Sequence, residues 1–219
     1  MISYKFLFKE GKSKEAPLIV IPSFEENASQ IIEHVKLLTD KDFSLLTIYD
    51  FDWNNNLSPY KAPTIFKGAS DFKGEAKDFL ELVILKLINE VTKKENIRPI
   101  YNALVGYSMA GLFAVYALFK TDSFLKIGSV SGSLWYPNFV EFIKNSEVLH
   151  SISTFYMSLS DKEKKTKNLI MSQVETNSII IFDRISSKIT HSKFELNKGN
   201  HFQNEALRVA KCIAYLLSN

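Results

Sequence analysis

A serine between small residues is the first group in this sequence that could do chemistry. Residues 106–111 read GYSMAG, which is the pattern Gly-x-Ser-x-Gly with alanine in the last place and Ser108 at its centre. Small neighbours allow a serine to sit on a sharp, strained turn between a strand and a helix, where its hydroxyl stands clear of a sheet. An apolar run precedes the motif and a helical pattern follows it, so we predict that Ser108 is a nucleophile. The alternative is a glycine-bearing turn that only packs a strand against a helix.

A histidine that serves this serine should follow a later strand, because the chain order around such a turn is serine, acid, histidine. His34 precedes Ser108 and, like His150, lies in a stretch of helical pattern, while His191 precedes the last predicted strand. His201 lies in the loop directly after that strand. Because imidazole titrates near neutral pH, it suits general-base work. We predict that His201 is the base, and a histidine on a surface loop is the alternative.

Two acidic residues, Asp161 and Glu163, follow the strand predicted at 154–159. Either carboxylate could accept the second N–H of the histidine ring and hold the useful tautomer. Spacing does not choose between them, and an acidic turn before a helix is also ordinary capping chemistry. Both remain candidates at this point.

Backbone N–H groups should hold the oxyanion that such a reaction develops. We predict the N–H of Met109, which follows the nucleophile, and the N–H of Phe24, which follows the strand predicted at 17–21.

Strands and helices alternate along the chain around these residues. Apolar runs predict strands at 17–21, 43–49, 100–105, 126–130, 154–159 and 193–196, and helical periodicity predicts helices at 28–38, 75–91, 109–119, 166–182 and 204–217. This alternation predicts an α/β fold with a largely parallel sheet, which binds ligands at the carboxyl ends of its strands. No linker divides the chain, so we expect one domain over residues 1–219.

Composition narrows the classes of protein. The 219 residues are 46% hydrophobic and 23% charged with a net charge of +3, and the basic residues are mixed along the chain, so we expect no nucleic-acid partner. Cys212 is the one cysteine and reads as a buried helix residue. The absence of an internal disulfide and of a signal-peptide pattern predicts a cytoplasmic location. Residues 100–119 carry no charge over 20 positions, but polar residues and glycines interrupt them, so we predict a buried strand and helix and no membrane partner.

Four ordered segments resemble a known family. Residues 106–114 resemble the nucleophile segment of the Putative esterase family of α/β-hydrolases, which includes siderophore (enterobactin-type) esterases and S-formylglutathione hydrolases. Residues 52–60, 129–136 and 160–166 resemble segments of the siderophore-esterase-like branch, so the resemblance extends from about residue 17 to about residue 205.

The resemblance implies an α/β-hydrolase fold, with a mostly parallel central sheet flanked by helices on both faces. The short chain leaves no room for a large cap domain. In the family the acid commonly stands three residues after a glycine that ends its strand. Ser160 replaces that glycine here, and the resemblance assigns the acid to Glu163 ahead of Asp161.

Walls over the site should come from the loops 51–72 and 133–137, which carry the aromatic residues Trp53, Tyr60, Phe66, Trp135 and Tyr136. We predict substrate contacts from Trp53, Tyr107 and Trp135. The alternative for the two tryptophans is that they plug the core beneath these loops. Because the sequence has no glycine-rich phosphate loop and no clustered metal ligands, we predict no cofactor and no metal.

These residues together predict a serine esterase that cleaves a carboxylic ester or thioester of modest size, or the exposed end of a larger ester, through an acyl-enzyme. An acyltransferase would use the same acyl-enzyme. A catalytically silent binding module with this fold is the alternative from another class of protein.

Overall fold

The computed structural model describes residues 2–148 and 152–219, and His150 with its predicted helical stretch lies outside the described residues. The strands are β1 (Lys5–Lys9), β2 (Leu18–Pro22), β3 (Ser44–Tyr49), β4 (Lys61–Ala62), β5 (Phe72–Lys73), β6 (Asn102–Tyr107), β7 (Lys126–Val130), β8 (Thr154–Ser160) and β9 (His191–Asn197). The helices are α1 (Ala28–Lys36), α2 (Trp53–Asn56), α3 (Ala76–Phe79), α4 (Lys86–Lys94), α5 (Met109–Ala117), α6 (Phe139–Lys144), α7 (Val174–Ser186) and α8 (Glu205–Ser218). A π-helical stretch (Leu80–Leu85) joins α3 to α4, and a 3₁₀ turn (Met171–Gln173) precedes α7.

Seven strands form one sheet in the order β1-β3-β2-β6-β7-β8-β9, while β4 and β5 form a separate small hairpin. Each neighbouring pair of the large sheet is parallel except β1 with β3. The central strands β2, β6, β7 and β8 are almost wholly buried, as expected when helices cover both faces. The predicted, mostly parallel sheet is therefore confirmed. The carboxyl ends of β6, β8 and β9 meet at one edge of it.

Helices pack on both faces of the sheet. Because side chains alternate along a strand, Ile19 and Ile21 point to a core cluster shared with α1 and α8. Leu18 and Val20 point to a second core cluster, shared with α3 to α7. Among the described residues the connections above the sheet are short elements and loops, with no large cap.

The charge-free run at 100–119 contains β6 and the helix α5, as predicted. Every residue of α5 is buried, because this helix is covered on all sides by the sheet and its neighbouring helices. Within the described residues no helix is both long enough and apolar enough to cross a bilayer.

The helix predicted to begin at 166 begins later, at Val174, after the 3₁₀ turn. The segment before it is rich in lysine and forms a loop. The Asn168 side chain accepts the amides of Ile170 (3.0 Å) and Met171 (3.2 Å), and this side-chain turn starts the helical backbone there. The predicted start at residue 166 was therefore wrong, because this side-chain turn delays the helical backbone until after Asn168.

Candidate active site

Ser108 lies on the turn between β6 and α5. Its backbone angles, φ 58° and ψ −120°, are ones that residues other than glycine rarely adopt. The amide of Ser108 donates to the carbonyl of Val130 (3.0 Å), and its own carbonyl accepts the amide of Ser133 (2.9 Å). These bonds to β7 and the following loop hold the strained turn in place, and the side chain stays partly exposed.

The small residues around Ser108 have a steric cause. A Cβ atom on Gly106 would lie 2.0 Å from the carbonyl oxygen of Ala110, and one on Gly111 would lie 2.8 Å from the Cα of Gly132. The backbone approaches itself too closely at these two positions for any side chain. Ala110 occupies the last place of the motif and is fully buried. The strand, the sharp turn and the helix predicted around the serine are all present.

His201 follows β9 in the chain and reaches Ser108 across the edge of the sheet. The distance from His201 Nε2 to Ser108 Oγ is 3.1 Å, and that from His201 Nδ1 to Glu163 Oε2 is 2.9 Å. The His201 side chain is 25% exposed and that of Glu163 is 6% exposed, so the acid is shielded from water and the base is reachable. The three side chains form a continuous hydrogen-bonded chain.

The two candidate acids occupy different places. Glu163 contacts His201 with one carboxylate oxygen and accepts the amide of Ser160 (2.9 Å) with the other. Asp161 instead accepts the amide of Gly199 (2.9 Å), in the loop that carries the histidine. The structure therefore brings Glu163 to the imidazole and uses Asp161 to fasten one loop to the other.

The pKa of Glu163 lies below its ordinary value. Burial is the largest single influence and would raise this pKa, but the hydrogen bond and the charge of His201, together with further hydrogen bonds including that from Ser160, outweigh it. Glu163 is therefore ionised at neutral pH, as a carboxylate that orients an imidazole must be.

The loop after β8 and the loop after β9 are bonded to each other. Besides the Asp161 contact to Gly199, the amide of Lys162 donates to the carbonyl of Gly199 (3.3 Å). The hydroxyl of Ser160 donates to the carbonyl of Asn200 (3.3 Å). Gly199 has φ +112°, which a residue with a side chain rarely adopts. The acid loop and the base loop thus form one bonded unit.

Tyr107 contacts the histidine loop from below. Its hydroxyl donates to the carbonyl of His201, and burial raises the pKa of Tyr107 to about 12, which keeps the hydroxyl protonated and able to donate. Tyr107 is nearly buried and is not among the residues that line the cavity described below. Tyr107 was predicted to contact the substrate, but in the structure its hydroxyl bonds the His201 loop and the residue does not line the cavity.

Replacing Tyr107 by phenylalanine is expected to lower kcat several-fold while KM stays unchanged, because the carbonyl of His201 loses its donor and the ring can shift. The matched control is Tyr101→Phe. Tyr101 is also a partly buried tyrosine whose pKa is raised to about 12, and its hydroxyl donates to the carbonyl of Leu216 far from the site. Both changes should cost about 1 kcal/mol of stability. Steady-state kinetics on a chromogenic ester would test this, and equal loss of kcat in both variants would contradict it.

Sequence reasoning missed Arg208 entirely. This residue of α8 is 2% exposed, and its guanidinium donates to the carbonyls of Lys198 (3.1 Å) and Asn200 (3.0 Å). A signal was present, because Arg208 shares the helical spacing i, i+4, i+8 with the buried Cys212 and Leu216.

A cavity of about 260 Å³ opens beside Ser108, Met109 and His201. Its walls are mainly apolar and include Trp53, Phe66, Trp135, Met171, Val174 and Phe202. Larger depressions of about 700 and 590 Å³ lie elsewhere on the surface and contain none of the three hydrogen-bonded side chains, so their size does not make them better candidates. Within the described chain no group of three or more His, Cys, Asp or Glu side chains is arranged to hold a metal ion.

Both predicted tryptophans line the cavity and also pack against other rings. Trp53 stacks on Phe51 (ring centroids 5.8 Å apart) and contacts Phe24 edge-on (5.5 Å). Trp135 is 7% exposed and contacts Phe66 edge-on at 5.8 Å. Trp53 and Trp135 therefore do both things that the sequence offered as alternatives: they line the cavity, and they pack against the rings beneath the loops.

Of the two candidate oxyanion donors, Met109 lines the cavity and Phe24 does not. Met109 begins α5 directly after the serine and lines the cavity. Phe24 lies in the loop after β2, with its ring 70% exposed and packed on Trp53.

The tyrosines of the two wall loops bond those loops to each other, since Tyr60 donates to the carbonyl of Pro137 (2.7 Å) and Tyr136 donates to the carbonyl of Tyr60.

The family of this chain follows from its match to a family model. Residues 45–177 match the family described as Putative esterase, and this range includes the serine turn and the acid loop. The chain belongs to the Putative esterase family. Family membership supports ester hydrolysis as its class of chemistry.

Among curated proteins, the uncharacterized protein YbbA of Bacillus subtilis (strain 168) is 30% identical over 116 residues, which are 52% of this chain and 46% of YbbA. The chain thus matches about half the length of this relative.

Solved structures share the fold. An IroE-like serine hydrolase from Shewanella oneidensis superimposes with a TM-score of 0.78 at 15% identity, over 100% of this chain and 80% of that one. The siderophore hydrolase EstA from Aspergillus nidulans superimposes with a TM-score of 0.72 at 16% identity, over 98% of this chain and 90% of that one. The α/β-hydrolase fold predicted from the sequence is confirmed.

Proposed function

We propose that residues 1–219 form one catalytic domain that hydrolyses a carboxylic ester or thioester through an acyl-enzyme on Ser108, with His201 as general base and Glu163 as the acid that orients it. The observation that carries this proposal is the continuous contact from Ser108 Oγ through the His201 ring to Glu163, at the head of an apolar cavity. A silent binding module would be expected to occlude the serine, whereas Ser108 is partly exposed and lines that cavity.

In the proposed reaction His201 Nε2 takes the proton from Ser108 Oγ as the oxygen attacks the substrate carbonyl carbon. The N–H groups of Met109 and Phe24 hold the negative charge that develops on the carbonyl oxygen. The intermediate collapses, and the leaving alcohol or thiol takes the proton from His201. A water molecule, deprotonated by His201, then attacks the acyl-enzyme; the bond to Ser108 Oγ breaks, the acid is released, and His201 returns the proton to Ser108 Oγ. Ionised Glu163 accepts the Nδ1–H of His201 throughout.

The cavity indicates the kind of ester. About 260 Å³ bounded by tryptophan, phenylalanine and methionine favours an apolar or aromatic group on one side of the scissile bond. No large cap covers the site among the residues that the structure describes, so the other side of the ester can extend into solvent. An arm of a larger ester, of the kind suggested by the name of the siderophore hydrolase EstA, is a substrate that such a site can accept.

The test is to treat the pure protein with a fluorophosphonate probe and read the intact mass. Such a probe phosphonylates an activated serine with loss of fluoride, whatever the natural substrate is. We expect one adduct on the wild type and none on Ser108→Ala. The absence of an adduct on folded wild-type protein would reject the proposal. If an adduct forms, product analysis of a labelled ester with added alcohol or amine separates hydrolysis from acyl transfer.

A further inference from the structure

Arg208 is a buried cation whose hydrogen-bond acceptors are all neutral. Its side chain is 2% exposed, and its guanidinium donates to the hydroxyl of Ser160 and to the carbonyls of Lys198 and Asn200. Burying a charge is costly unless hydrogen bonds compensate for lost hydration. An apolar side chain would fill the same place on α8 at lower cost if packing were its only task.

The three acceptors belong to the two loops that carry the acid and the base. Ser160 ends β8, and its amide donates to the carboxylate of Glu163 (2.9 Å). Lys198 and Asn200 lie directly before His201. A guanidinium is planar and rigid, so its donors hold acceptors on two segments at a fixed separation and angle. A single point charge such as an ammonium lacks that geometry.

We propose that Arg208 is a positioning residue for the reaction, because it sets the place of the His201 ring relative to Ser108 and Glu163. It does not line the cavity, and its hydrogen bonds go to none of the atoms that would react. It acts through the backbone carbonyls before the histidine and through the Ser160 hydroxyl beside the acid. This inference rests on the proposed function.

Loss of this clamp has a specific kinetic signature. A displacement of about 1 Å between base and nucleophile can slow a reaction about 100-fold. Arg208 is not among the residues that line the cavity beside Ser108, so substrate binding should be preserved. The expected pattern is therefore a fall in kcat with little change in KM, together with slower labelling by a fluorophosphonate.

The experiment compares wild type, Arg208→Lys and Arg208→Ala, with Ile213→Val as the matched control. Ile213 is fully buried on the same helix and packs in the core away from the two loops. Labelling rates, kcat, KM and thermal unfolding are measured for each, at a temperature where all are folded. We expect a loss of roughly 100-fold in labelling rate and kcat for Arg208→Ala, a smaller loss for Arg208→Lys, and wild-type rates for Ile213→Val.

Chemical rescue separates positioning from simple stability. Guanidinium ion, added to Arg208→Ala far below unfolding concentrations, should restore part of the labelling rate, while ammonium at equal ionic strength should not. Wild-type labelling rates in Arg208→Ala would overturn the inference, and so would a loss that guanidinium does not relieve. If the wild type itself is not labelled, the proposed function fails instead, so the two failures are distinguishable.

Discussion

If Ser108 and His201 act as proposed, replacing His201 by alanine is expected to lower kcat for an ester by about 10⁶-fold, which is the size of effect measured when the histidine of a serine–histidine–aspartate triad is removed. The reason is that Ser108 Oγ, 3.1 Å from His201 Nε2, would lose the base that takes its proton. The measurement is steady-state hydrolysis of a chromogenic ester, with active-site titration to exclude traces of wild-type enzyme.

His191→Ala is the control for this change. His191 is an exposed histidine at the start of β9, one strand length away from the loop that carries His201, and the His191→Ala variant should retain wild-type activity. A His201→Ala protein that keeps a substantial fraction of its activity would show that another group deprotonates the serine.

Replacing Glu163 by glutamine is expected to lower kcat by about 10⁴-fold, by analogy with the same change of acid to amide in a serine–histidine–aspartate triad. The glutamine keeps the shape of the side chain but removes the charge that stabilises the imidazolium and fixes the tautomer. Asp161→Asn is the matched control, because its side-chain oxygen can still accept the amide of Gly199. Comparable losses in the two variants would mean that Glu163 has no special part in the reaction.

The same carboxylate links the stability of the fold to pH. Since the folded-state pKa of Glu163 lies below its ordinary value of 4.5, its ionised form stabilises the fold above about that pH. This stabilisation disappears as pH falls through the lowered folded-state pKa. Urea unfolding of wild type and Glu163→Gln across this range should show a smaller acid-induced loss of stability in the variant.

The fold was predictable to the extent that apolar runs are continuous. The buried strands β2, β3, β6, β7 and β8 have such runs, and each was predicted within one or two residues of its ends. The edge strand β1 was missed because it is short, carries lysine at both ends and is largely exposed, so its apolar run is only three residues long. The helix α6 and the hairpin β4-β5 were missed as well, because each has too few residues to show a clear period in the sequence.

The residues of the candidate site fall into two groups. Ser108 and His201 could be placed from sequence, since each follows a strand whose carboxyl end lies at one edge of the sheet. The choice between Glu163 and Asp161 depends on the path of a short loop, which spacing does not determine and for which the family resemblance was needed. Tyr107 and Arg208 act on backbone carbonyls, and a sequence contains no mark of which carbonyl a distant side chain will meet.

The backbone contacts of the histidine loop also bear on how this protein can vary. Lys198 accepts the Arg208 hydrogen bond through its backbone carbonyl, which every amino acid possesses. Its side chain can therefore be substituted without losing this hydrogen bond. The two donors cannot be substituted in this way, because the bonds need the hydroxyl of Tyr107 and the guanidinium of Arg208, which reach the loop from other elements. We therefore expect inactivating mutations not only in the His201 loop itself but also at the buried residues of other elements that donate hydrogen bonds to it.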